Sequence, residues 1–154
     1  MFQFSSTLLK SALKLAALTI LMGSLIPFSP SHAARGKVLV KVDVSQQRMT
    51  VYQNGRKKYH WKVSTARKGK VTPRGNWKAK WLSKNHRSSR YNNAPMPYSI
   101  FYSGNFAIHG TNSISRLGRP ASAGCIRLHP KNAAILFRLA QSYGLSNMTV
   151  SVRN

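Results

Sequence analysis

The sequence has 154 residues, room for one domain at roughly 100–200 residues per domain. Lys and Arg number 25 against a single acid, Asp43, for a formal charge of +24, yet 42% of residues are hydrophobic and 10% aromatic. That much apolar material excludes a disordered basic tail. One acid excludes paired-carboxylate hydrolysis and carboxylate-rich Ca2+ or Mg2+ sites, and one cysteine excludes an internal disulfide and a cysteine zinc cage.

Residues 1–33 read as a secretory signal. Lys10 and Lys14 make the positive region, Leu15 to Ile26 the apolar stretch, and Ser31-His32-Ala33 the small-residue cleavage site, used after Ala33 or Ala34. The apolar stretch falls short of the ~20 residues a membrane span needs. Cleavage would remove two basic residues and leave about +22 on the mature chain, whose single domain spans 37–154. Export counts against the nucleic-acid binding that so basic a chain otherwise suggests, and points to an anionic cell envelope as partner.

Beyond that segment the pattern is mainly β. Lys37 to Val44 alternates, with Val38, Val40, Val42 and Val44 on one face and Lys37, Lys41 and Asp43 on the other, which predicts a half-buried strand. Arg48–Gln53 and Lys57–Ser64 read as a hairpin around Asn54-Gly55. Thr72-Pro73-Arg74-Gly75 is a turn into a predicted strand over 76–82, in which Trp77 and Trp81 are expected in the core. Ser83 to Asn93 reads as a polar loop containing His86, and two strands follow over 98–102 and 105–109. Pro130 opens the one persuasive helix, Ala133, Leu136, Phe137 and Ala140 give its apolar stripe, Gly144 stops it, and Met148–Arg153 closes the chain as a strand. The expected architecture is a β sandwich or barrel-like sheet with one helix packed on it in the C-terminal half.

Chemistry concentrates between His109 and Cys125. Cys125 follows Ser122, Ala123 and Gly124, small residues that let the backbone bend tightly around the sulfur. A cysteine nucleophile needs thiolate character, and Arg119 and Arg127 are the nearby cations. His109, at the end of a predicted strand, is the candidate general base, and backbone N–H groups around Gly124 are candidates to hold an oxyanion. His32, His60, His86 and His129 have no metal-ligand spacing with another His, Cys or acid, so no metal and no cofactor are expected.

His109-Gly110, then Ser122-Ala123-Gly124-Cys125-Ile126-Arg127, resembles the L,D-transpeptidase catalytic domain, or YkuD, family. So do Val42-Asp43-Val44 with Gln47, Ser64-Thr65, Thr72-Pro73-Arg74-Gly75 and Met96-Pro97-Tyr98. The resemblance runs from Lys37 to about Val152 and implies a β-rich, L,D-transpeptidase-like fold in a domain over 37–154. It implies an exported, periplasmic or wall-associated enzyme acting on peptidoglycan stem peptides. Cys125 would attack the carbonyl of the third stem residue and expel D-alanine, and an amine of a neighbouring stem would resolve the thioester to a 3–3 cross-link. His109 would carry the proton, held by the Gly110 carbonyl. The N–H groups of Ala123, Gly124 and Cys125 would form the oxyanion hole, Arg127 would orient the loop or a substrate carboxylate, and Ser122 would brace the loop. Tyr91, Met96 and Tyr98 are candidate walls of the substrate groove. The family has His where this chain has Ala123, which removes any proton handling or bracing there. A monomer is expected. The same half-site also fits an L,D-carboxypeptidase, an amidase or a protein-to-wall ligase, and a wall-binding module without turnover is the remaining alternative.

Overall fold

A computed structural model describes residues 36–154; the expected signal lies outside the described residues. The described residues form nine strands and one α-helix: β1 Val38–Asp43, β2 Arg48–Gln53, β3 Arg56–Lys62, β4 Gly75–Lys78, β5 Trp81–Arg87, β6 Pro95–Ser103, β7 Phe106–Gly110, β8 Ile126–Leu128, α1 Pro130–Tyr143 and β9 Met148–Arg153. They make a five-stranded sheet, β3-β2-β1-β9-β4, and a four-stranded sheet, β5-β6-β7-β8. This is the expected mainly β architecture with one packed helix, and of the sandwich and barrel-like alternatives it is the two-sheet one.

The β1–β2 and β2–β3 ladders are antiparallel, and Asn54 and Gly55 (φ 49° and 78°) supply the positive dihedrals of a tight two-residue hairpin turn. β9 returns parallel to β1 and closes that sheet through β4. Val38, Val40 and Val42 meet Met148, Val150 and Val152 on the inner face, and Ile100, Ile108, Ile126 and Leu128 supply the inner face of the other sheet. Ala133, Leu136, Phe137 and Ala140 of α1 pack into this core, as the 3.6-residue period requires. The helix starts on Pro130, with the His129 side chain accepting from the Lys131 N–H, and ends at Gly144 with φ 85°.

The structure corrects three readings. The run over 76–82 is two strands in different sheets, β4 and β5, separated at Ala79 and Lys80. Ser83 to Arg87 is strand rather than loop, and the loop is confined to 88–94. Its polarity reflects its place: β5 is an edge strand with one neighbour, β6, and polar side chains are how such an edge avoids further pairing. Trp81, expected in the core, is 44% exposed, whereas Trp77 is half-buried and packs on Tyr102.

Candidate active site

The outer face of the four-stranded sheet carries the reactive residues. Ile108 and Ile126 pair across the parallel β7–β8 ladder and point into the core, so their neighbours point out. His109 stands opposite Arg127, and Cys125 packs against Ala107, with Met96 and Phe101 in the same cluster. One face of two adjacent strands therefore brings His109, Cys125 and Arg127 together. Met96 reaches this face as well. Tyr98, at φ 56°, turns its ring edge-on to Phe137 at 5.8 Å on the helix side and does not line the cysteine face. Tyr91 is exposed in the 88–94 loop, outside the Cys125 cluster.

His109 is 5% exposed. Its Nδ1 lies 2.7 Å from the Gly110 carbonyl. A carbonyl only accepts, so Nδ1 carries the proton and Nε2 keeps its lone pair. Asp43 is not available for this orienting task. It sits at the end of β1 in the other sheet and accepts from Ser45 Oγ and the Gln46 N–H, which hold its carboxyl below the usual range. Burial pushes the His109 imidazole down to about 4, against the Gly110 bond, and the Arg127 and His86 charges push the same way. Burial raises the Cys125 thiol, while the Ala107 N–H and Arg127 favour the thiolate. The resting pair at neutral pH is thus a thiol beside a neutral imidazole.

The loop before Cys125 is tied from beneath by the 63–72 segment. Ser64 and Arg127 exchange both backbone hydrogen bonds, and the Ala121 and Ser122 N–H groups donate to the Thr65 carbonyl. Thr65 is held by Gln47, whose Oε1 accepts from its N–H and whose Nε2 donates to its Oγ1. Thr72 Oγ1 accepts from the Ala66 N–H at 2.9 Å and donates to the Gly124 carbonyl at 2.8 Å. Gly124 has φ 139°, and a Cβ there would fall 2.5 Å from the Phe106 ring and 2.9 Å from the Val71 carbonyl, so only glycine fits. The Gly124 N–H donates to Ser122 Oγ at 3.0 Å. Ser122 therefore braces the loop, and the Gly124 N–H is already engaged. Among the described residues the N–H groups of Ala123 and Cys125 have no such partner.

Arg127 is half-buried and donates to the Ala121 carbonyl at 3.4 Å, while Arg67 donates to the Ser122 carbonyl through both its backbone N–H and its guanidinium. Burial lowers Arg127, and the charges of Arg67 and Arg116 lower it further, opposed by Cys125. The arginines thus surround the loop as a cation cluster, and the sequence has no acid other than Asp43 to neutralise it. Gln47, Ser64 and Thr72 had no chemical role in the sequence reading beyond their resemblance; their partners are distant in the chain, so only the fold displays their function. Among the described residues no three His, Cys, Asp or Glu side chains gather as a metal site. A shallow cavity of about 430 Å³ lies on the outer face of the five-stranded sheet, lined by Lys41, Arg48, His60 and Arg153 among others, and includes neither Cys125 nor His109.

A cysteine and a carbonyl-oriented histidine on one sheet face are the residue types that cysteine acyl transfer needs. The chain belongs to the L,D-transpeptidase catalytic domain family, YkuD, whose family model matches residues 37–150. No curated protein matches the chain. Among solved structures it resembles the L,D-transpeptidase from Mycobacterium smegmatis, at 21% identity and TM-score 0.69, over 77% of this chain and 59% of that one. It also resembles the L,D-transpeptidase from Stackebrandtia nassauensis, at 25% identity and TM-score 0.66, over 77% and 56%. The LdtMt1 complex with imipenem matches at 20% identity and TM-score 0.69, over 77% and 59%. The chain thus spans under two thirds of the length of these structures.

Proposed function

We propose that this chain is an exported peptidoglycan L,D-transpeptidase that works at the periplasmic or cell-wall face. The observation that carries the reading is the His109 ring, fixed through Nδ1 on the Gly110 carbonyl, with Nε2 left as a base on the face that holds Cys125. Family membership supports the reaction class. The signal-like 1–33 segment and the excess of cations support the location.

The reaction follows from these groups. The Cys125 sulfur adds to the carbonyl of the third residue of a tetrapeptide stem as its proton passes to His109 Nε2. The Ala123 and Cys125 N–H groups face the developing oxyanion. The intermediate collapses, His109 returns the proton to the amine of D-alanine, and D-alanine leaves behind a thioester. An amine of a second stem then attacks the thioester and gives its proton to His109. The new amide forms a 3–3 cross-link, and the proton returns to sulfur. Arg127, with Arg67 and Arg116 beside it, offers an uncompensated positive field for a stem carboxylate and for the thiolate.

The test is incubation of the protein with disaccharide-tetrapeptide, followed by mass spectrometry. A dimer lacking one D-alanine is expected, and Cys125→Ala or His109→Ala should abolish it while the fold is kept. A Cys125-dependent tripeptide monomer would make water the acceptor. Turnover surviving either substitution would overturn the mechanism. Imipenem, seen on LdtMt1, gives a second readout: one adduct on the wild-type chain and none on Cys125→Ala.

A further inference from the structure

Trp81, Phe101, Ala107 and Cys125 form one row across the four-stranded sheet. Trp81 pairs with Phe101 and Phe101 with Ala107, and the next pair, Ile108 with Ile126, puts Ala107 beside Cys125. The ring of Trp81 lies parallel to that of Phe101, centroids 3.7 Å apart and planes within 3°. His86 meets both rings edge-on, at 5.7 and 5.0 Å. Phe101 is covered, Trp81 is 44% exposed, and Ala107 leaves a low floor between this stack and the sulfur. A large apolar ring is thus held rigid and turned to solvent in line with the nucleophile.

Three strand spacings of about 4.8 Å place Trp81 about 14 Å from Cys125 along the row. An extended peptide covers at most about 3.5 Å per residue, so the third stem carbonyl lies about 10–11 Å from the stem's N-terminus. The stem hangs from an amino sugar through a lactyl ether, and the sugar begins just beyond that distance. A pyranose ring presents C–H groups on one face, which suit the negative face of an aromatic π system. A ring already pinned by its neighbours loses little freedom on binding.

We propose that the exposed indole of Trp81 is a sugar subsite, seating the pyranose ring of the amino sugar that carries the donor stem. This rests on the transpeptidase reading above. It sets the direction of the donor: sugar over β5, third residue at Cys125, departing D-alanine toward Arg127.

Two matched donors test it, disaccharide-tetrapeptide and the same tetrapeptide without sugar. The wild-type chain should show a KM about fivefold lower for the sugar-bearing donor. Trp81→Ala should collapse that preference, and Trp81→Phe should restore part of it. In parallel, the peptide-free disaccharide is titrated into the Cys125→Ala chain and read by NMR at the indole N–H groups. A saturable shift that disappears with the additional Trp81→Ala change is expected. Equal preference in wild type and Trp81→Ala, or no indole shift, overturns the subsite. The two readings fail separately: turnover of tetrapeptide without sugar recognition keeps the transpeptidase and removes the subsite. A disaccharide shift at Trp81 with no turnover of any donor keeps the subsite and removes the transpeptidase.

Discussion

Burial of His109 couples the protonation of its ring to the stability of the fold. The imidazole ionises near 6.5 when free in solution and near about 4 in the fold, chiefly because burial penalises the charged ring. Between those values the unfolded chain holds more protons than the folded one. Stability therefore falls as pH drops from about 6.5 to about 4 and levels off below, a loss on the order of 3 kcal/mol from this residue. Urea unfolding across that range should display the slope, and His109→Gln should flatten it. The same shift keeps Nε2 unprotonated at all but acid pH. The acid limb of kcat/KM is expected near pH 4 rather than near 6.5, and a limb at 6.5 would mean that the ring is solvated in the working enzyme. Cys125 and His109 stand out as candidates in the sequence because both sit in short local patterns. The engaged Gly124 N–H was not legible there, since its partner Ser122 Oγ lies two residues away but reaches it only in the bent loop.

At the scale of elements, the 63–72 segment holds the cysteine loop, and Thr72 is its firmest tie. Its buried hydroxyl satisfies the Ala66 N–H and the Gly124 carbonyl at once. Thr72→Val keeps the shape and strips both bonds, leaving two polar groups unpaired at a cost of about 3 kcal/mol. Thermal melting should report that loss. As a positioning residue Thr72 should also affect kcat more than KM, by about tenfold or more, because a misplaced sulfur misses the attack geometry. Thr72→Ser should recover both. A loss of stability with kcat intact would reduce Thr72 to a structural role. Such ties join residues more than fifty positions apart, which explains why residue patterning revealed strands and helix but not the strap. The helix was legible at both ends because Pro130 and Gly144 are local signals. The break at Ala79-Lys80 was hidden because only two residues separate strands of different sheets, and β5, an edge strand, carries polar residues like a loop's.

For the whole molecule the dominant fact is charge without countercharge. The lone acid, Asp43, accepts from Ser45 and Gln46 in a turn, and the 25 basic residues of the sequence have no other carboxylate side chain to pair with. Cations occupy both sheets' outer regions: Lys41, Arg48, Lys62 and Arg153 on the larger, and the arginines around the Cys125 loop on the smaller. Self-repulsion of this kind destabilises the compact state, whereas attraction to an anionic polymer speeds encounter. Salt screens both, with a Debye length of about 10 Å at 0.1 M and about 3 Å at 1 M. The two consequences have opposite signs. Raising NaCl from 0.05 to 0.5 M should increase the melting temperature and yet lower kcat/KM on intact wall several-fold, with kcat nearly constant. A small soluble donor, carrying fewer charges, should lose less. Because stability and activity move in opposite directions, unfolding cannot account for the loss. Replacing the exposed Lys58 and Lys62 of the edge strand β3 by Gln should reproduce part of the effect at low salt, although neither belongs to the Cys125 face. Parallel changes in melting temperature and kcat/KM would instead show that the cations act through the fold and not through encounter.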